Sequence, residues 1–139
     1  MYKDIPVEGI PPDSQTLGNF IGREIRLMEG GKSEVTFDIG AQFLNFQGVL
    51  HGGAYATMLD TACGVAIRGQ LDMKKYGGHS TLELKTSYLR AGQPGRYMAK
   101  GNVLRLGKSV AFVDAELFNA AEEMVSYASA TFHLRLRAN

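Results

Sequence analysis

Asp60 is the one formal charge in the run between His51 and Arg68. Its neighbours one helical turn away, Tyr55, Ala56, Cys63 and Gly64, are apolar or small. A carboxylate in that setting is costly unless it has a partner or a task. Its free pKa of ~3.9 makes it ionised at neutral pH, so it can take a proton from water. It also fits a surface position, or a carboxylate capped by the hydroxyl of Thr57 or Thr61. Eight residues earlier the same run opens with His51-Gly52-Gly53. Backbone N–H groups in a first helical turn lack intrahelical partners and sit at the positive end of the helix dipole. With glycine there, a ligand can approach closely, so Gly52 and Gly53 can hold an anion or a developing oxyanion. They equally fit a plain tight turn. Asn45 lies six residues before His51, and its amide can donate to a substrate carbonyl or simply shape a turn.

The spacing constrains how these groups can act together. Gly52 and Asp60 stand ~12 Å apart along a helix, at 1.5 Å per residue. One small reacting centre cannot touch both in one chain. Two such helices lying antiparallel across a two-fold axis would set Gly52 of one beside Asp60 of the other. The spacing therefore predicts a dimer with two equivalent composite sites.

The elements that must position these residues follow from periodicity. Residues 24–28 and 33–39 read as strands with Gly30-Gly31 as their turn. Residues 45–53 read as a glycine-bearing loop. From Ala54 to about Arg68, apolar residues recur at helical spacing, and Arg68-Gly69 supplies a stop. Residues 81–89 alternate, with Leu82, Leu84, Thr86 and Tyr88 on one face. Residues 91–95 are a loop, and strands follow at about 97–106, 109–118 and 124–136. Gly107-Lys108 suits a two-residue hairpin, and 119–123 a slightly longer turn. Four consecutive strands with short connections imply a mostly antiparallel sheet. A helix apolar nearly all round must be covered on most sides, which a curved sheet wrapped around it achieves. The class is α+β.

The 139 residues fit one domain, 1–139, with an irregular or partly helical lead-in over 1–20. Hydrophobic residues at 45% allow a sizeable core. A net charge of +1 supplies no field to attract nucleic acid or an anionic membrane. The N-terminus shows no signal peptide and no stretch is long enough to span a bilayer. Cys63, the single cysteine, can form no intrachain disulfide. A cytoplasmic protein is the expectation.

The pattern Asn45-x-x-Gly48-x-x-His51-Gly52-Gly53 followed by Asp60 resembles the hotdog thioesterases, in particular the phenylacetate-degradation (PaaI-like) group of the 4-hydroxybenzoyl-CoA thioesterase superfamily. Thr81–Leu89 resembles the family's strand after the helix, and Gly107–Ala111 its later hairpin. The resemblance implies a hotdog fold, hydrolysis of acyl-CoA (aryl-acetyl or medium-chain), and dimers that often pair into tetramers. By that similarity Gly52 N–H and the Asn45 amide polarise the thioester carbonyl. Asp60 of the partner subunit activates water or attacks directly. Thr81 occupies the place of a residue that holds the water, yet a regular pleat puts it on the opposite face from Leu82 and Leu84.

No cofactor or metal is required, since His51, His79 and His133 lack the spacing of a zinc motif. His51 reads as a loop-shaping residue that hydrogen-bonds the backbone. Cys63 reads as a small core residue. For the coenzyme phosphates, Arg90, Arg105 and Lys108 are the candidate cations, with Gly107–Ser109 supplying backbone donors. Phe46, Tyr55 and Met58 are candidates for the acyl tail or for the core. A hotdog dehydratase would centre on a histidine near the helix, and this helix carries none. A non-catalytic acyl-CoA sensor is the other rival.

Overall fold

A computed structural model describes residues 16–138; the part of the lead-in before Thr16 lies outside the described residues. The described end of the lead-in forms a short helix, α1 (Leu17–Phe20). Two strands follow, β1 (Glu24–Glu29) and β2 (Lys32–Ile39). The long helix α2 (Gly52–Arg68) then precedes β3 (Tyr76–Tyr88), β4 (Gly95–Leu106), β5 (Val110–Phe118) and β6 (Met124–Leu136). All pairings are antiparallel, in the order β1-β2-β4-β5-β6-β3. This is the hotdog arrangement that the resemblance implies.

Strand order departs from a simple run of hairpins at one step. β3 does not pair with β4 but lies at the sheet edge beside β6, while β4 lies between β2 and β5. The 89–94 connection therefore crosses the sheet instead of reversing beside it. It runs over the start of α2, where the Tyr55 hydroxyl donates to Arg90 C=O at 3.0 Å and the Tyr97 hydroxyl to Gln93 C=O at 2.6 Å. Leu50 N–H donates to Gly92 C=O at 2.9 Å, which ties this connection to the loop before the helix.

The helix packs into the concave side of the sheet. Tyr55, Met58, Leu59, Ala62, Cys63, Ala66 and Ile67 are buried against Val35, Phe37, Ala99, Val113, Leu117 and Leu134. The closest approach falls at Gly101 of β4, where a Cβ would stand 2.4 Å from the Ala62 carbonyl oxygen. That oxygen accepts from the buried Ser33 hydroxyl at 2.7 Å, and Ser33 Oγ in turn accepts from Gly101 N–H at 3.1 Å. Tyr55 and Met58 are core residues, whereas Phe46 is 98% exposed on its loop.

The helix is less completely covered than its sequence suggests. Thr57, Asp60, Thr61, Gly64 and Arg68 are only partly buried and form one open stripe at helical spacing. The small and polar residues of α2 collect there because the sheet wraps the remaining faces. Among the described residues, no helix is long and apolar enough to cross a membrane.

Two turns also differ from their sequence reading. The helix starts at Gly52, two residues earlier than Ala54, because His51 caps it. The β4–β5 connection has three residues, 107–109, instead of two. Gly107 N–H donates to Val110 C=O, and a Cβ on Gly107 would stand 2.7 Å from that oxygen. Glycine is needed there for close approach, and its φ is not among the positive ones.

Candidate active site

The loop before α2 is built by its own polar groups. Asn45 Oδ1 accepts from Gln47 N–H at 2.9 Å and Val49 N–H at 3.4 Å, and Asn45 N–H donates to Val49 C=O. Gly48 closes the turn at φ +82°, a conformation that favours glycine. The oxygen of the Asn45 amide is thus engaged in the loop, while its nitrogen has no partner among the described residues. Leu44 and Leu50 bridge, and His51 N–H donates to Phe43 C=O.

His51 is the N-cap, with its Nδ1 accepting from Gly53 N–H at 2.8 Å and its carbonyl accepting from Ala54 N–H at 2.9 Å. These two bonds leave Gly52 N–H as the first-turn donor with no partner among the described residues. The Tyr88 ring lies 3.3 Å from where a Gly52 Cβ would stand, and it stacks on Tyr55 with centroids 5.8 Å apart. A cavity of about 270 Å³ opens between Gly52, Tyr88 and Arg90.

Asp60 sits mid-helix on the open stripe. Thr57 and Thr61 do not cap it: their hydroxyls donate to the carbonyls of Gly53 and Thr57, four residues back along the helix. Thr81 does, with its hydroxyl donating to Asp60 Oδ1 at 2.7 Å. The regular pleat assumed from the sequence is interrupted here. Thr81 pairs with Phe132 and Glu83 with Thr131, so Leu82 is an extra residue in a β-bulge. Thr81 and Leu84 therefore share the inner face, opposite the buried Phe132 and Ala130, while Leu82 is 62% exposed. The strand also begins at Tyr76, five residues before Thr81.

Asp60 and Thr81 open onto a groove of about 350 Å³ that continues past Gly64 to Arg68, with His79 and Arg23 on its walls. His79 lies edge-on to Phe132 with centroids 5.6 Å apart. Burial and the nearby Arg68 hold its imidazole below the usual range, against the opposing pull of Asp60. Cys63 faces the core, and burial, then Asp60 and Asp114, push its thiol up to about 12. Sequence reasoning did not gather Arg23, Arg68 and His79 into a site. The spacing 60, 64, 68 was a usable signal for Arg68, because those positions share one helix face.

The candidate phosphate ligands do not converge within one chain. Arg90 borders the Gly52 cavity and pairs with Glu123 at 3.2 Å. Arg105, Lys108 and Ser109 are exposed, and the Lys108 carbonyl accepts from the Tyr76 hydroxyl. Tyr76 and Tyr88 end a 13-residue strand, so the 107–109 turn and Arg90 stand at opposite ends of a strand whose contour is ~40 Å at ~3.3 Å per residue.

Residues 47–126 match the model of the thioesterase superfamily. The medium/long-chain acyl-CoA thioesterase YigI of Salmonella typhimurium is 27% identical over 125 residues, 81% of each chain. The PaaI protein of the Escherichia coli phenylacetic acid degradation operon superposes with a TM-score of 0.76 at 26% identity, over 84% of this chain and 82% of that one. A Streptococcus mutans protein bound to acetyl CoA has a TM-score of 0.74 at 23% identity, over 84% of this chain and 91% of that one. With its curved antiparallel sheet, its enclosed helix and more than half its length matched, the chain belongs to the thioesterase superfamily and is a thioester hydrolase.

Proposed function

We propose that the protein hydrolyses acyl-CoA thioesters at a site shared between two subunits, with Asp60 as the catalytic carboxylate. The observation that carries this reading is the Thr81–Asp60 hydrogen bond at 2.7 Å. It orients one carboxylate oxygen and leaves the other without a hydrogen-bond partner among the described residues. YigI, whose substrates are medium- and long-chain acyl-CoA, and the acetyl CoA held by the Streptococcus mutans relative support the substrate class.

Gly52 N–H of one subunit and the Asn45 amide nitrogen donate to the thioester oxygen and stabilise the charge that develops there. Asp60 of the partner takes a proton from water as the water oxygen bonds to the carbonyl carbon. The C–S bond then breaks, and the departing thiolate recovers that proton. Direct attack by Asp60 would instead expel the thiolate and form a mixed anhydride, which water opens at the Asp60 carbonyl, so that the product acid keeps an Asp60 oxygen and Asp60 takes up the water oxygen. Within one chain, the ~12 Å between Gly52 and Asp60 separates donor from carboxylate. The edge position of β3 and the open stripe of α2 both leave a face for a second copy. A dimer, or a pair of dimers, completes two equivalent sites. Arg90, Arg105, Lys108 and the Gly107–Ser109 turn are the groups proposed to meet the coenzyme, and Gly53 offers a bare backbone beside it.

The test is CoA release from a panel of aryl- and fatty-acyl-CoAs by wild type and Asp60→Asn. Loss of a general base lowers the rate roughly 10²–10⁴-fold in a folded variant. A variant that keeps its rate overturns the role of Asp60. Binding without turnover would favour the sensor. Single turnover in ¹⁸O-water separates the two routes, because only direct attack first returns unlabelled oxygen from Asp60 to the product.

A further inference from the structure

Among the described residues, the groove beyond Asp60 holds more positive charge than the carboxylate can balance. Asp60, Gly64 and Arg68 follow one another at four-residue intervals on the open face of α2. Gly64 leaves the floor between them bare, and His79 fills part of that space: its Cε1 lies 3.0 Å from where a Gly64 Cβ would stand. Arg23 closes the groove from the other side. Neither guanidinium pairs with Asp60, whose hydrogen bond comes from Thr81. Arg23 Nε is buried and has no hydrogen-bond partner among the described residues. A buried donor in that state is unfavourable until an acceptor arrives.

Resting on the hydrolase reading above, we propose that this groove receives the acyl group and that Arg23, Arg68 and His79 select acyl chains ending in a carboxylate. Arg68 lies two turns past Asp60, ~12 Å along the helix. A medium-length acyl chain leaving the scissile carbonyl spans that distance. The coenzyme phosphates lie on the other side of the sulfur, beyond the pantetheine arm. Guanidinium groups match a carboxylate with paired, charge-assisted hydrogen bonds. A purely alkyl end would strip water from the same cations without replacing it. His79, held below its usual range by burial and Arg68, is uncharged at neutral pH and adds a hydrogen bond without adding a third cation.

The test is calorimetric binding of two non-hydrolysable thioethers of matched length, S-(9-carboxynonyl)-CoA and S-decyl-CoA, so that it does not depend on turnover. Wild type is expected to bind the carboxylate analogue about tenfold more tightly, the scale of one charge-assisted hydrogen bond. In Arg68→Gln and Arg23→Gln that ratio falls toward one, and Arg68→Lys recovers part of it. A wild-type ratio of one, or a ratio unchanged in both glutamine variants, overturns the proposal. So does an equal loss for both analogues that disappears when the same groups are carried on pantetheine, because the cations would then be reading coenzyme phosphate. If the binding ratio holds while no acyl-CoA is hydrolysed, the hydrolase reading fails and the anion-selective groove stands.

Discussion

Gly52 can lose its N–H without losing its helix. It is the first helical residue, and His51 before it has φ −60° and ψ 136°. Proline is well tolerated at the first helical position, and extended backbone is what the residue before proline adopts. Gly52→Pro therefore deletes the proposed oxyanion donor and little else. The added ring meets Tyr88, 3.3 Å from the Cβ position, but Tyr88 is 52% exposed and can tilt aside. Gly52→Ala adds the same Cβ and keeps the N–H, so it isolates the donor. Removing one such donor costs ~10²–10³ in kcat, about 2.7–4 kcal/mol. Gly52→Pro should thus turn over acyl-CoA that much more slowly than Gly52→Ala, with Tm values within a few degrees. Mixing Gly52→Pro with Asp60→Asn then tests the shared site. After joint unfolding and refolding of equal amounts, about half the dimers are mixed, and each mixed dimer has one intact site and one doubly damaged. Activity should return to about a quarter of wild type from two nearly inactive parents. Equal rates for the proline and alanine variants would refute the donor, and no recovery on mixing would refute the two-chain site.

Further outcomes follow from single contacts. Thr81→Val removes the hydroxyl that orients Asp60 and should lower kcat about tenfold, near the low end for a bond to a charged group because Thr81 is exposed. Thr81→Ser should retain most of the rate, and steady-state kinetics beside a melting curve separates this from loss of fold. Gly101→Ala puts a Cβ against the Ala62 carbonyl at 2.4 Å. Overpacking of this kind costs ~1–3 kcal/mol, and Tm should fall by several degrees in calorimetry. Cys63, buried with its thiol pushed up to about 12, should resist iodoacetamide at pH 8 in the folded protein and react fully in denaturant. Rapid labelling of the folded protein would show that the residue is not sealed in the core.

The helix, both early strands and the run of later strands are legible in the sequence, because burial on one side imposes clear periods of 3.6 and 2. The Asn45–Asp60 pattern is legible for a different reason, the cost of a lone carboxylate in an apolar helix. Three features are not. The bulge at Leu82 leaves the residue types of β3 unchanged, so alternation counted through it puts Thr81 on the wrong face. The placement of β3 at the sheet edge depends on long-range pairing with β6, which no local signal reports. The gathering of Arg23, Arg68 and His79 depends on three separate elements meeting, and only the 60-64-68 spacing hints at one part of it.

The bulge also says something about how such a site changes over generations. Leu82 touches neither Asp60 nor the core, and most substitutions there would pass unnoticed. Removing it altogether would pass in the same way. Thr81 already faces Phe132 and Glu83 already faces Thr131, so without Leu82 the ladder becomes regular and Thr81 and His79 keep their side. The change that would cost the site is a shift of one residue between Tyr76 and Thr81 against β6, which would turn Thr81 and its hydroxyl away from the carboxylate with no chemical group lost. At this point in the chain a lost codon is as silent as an exchanged one, and what heredity must preserve is the pairing on either side of it.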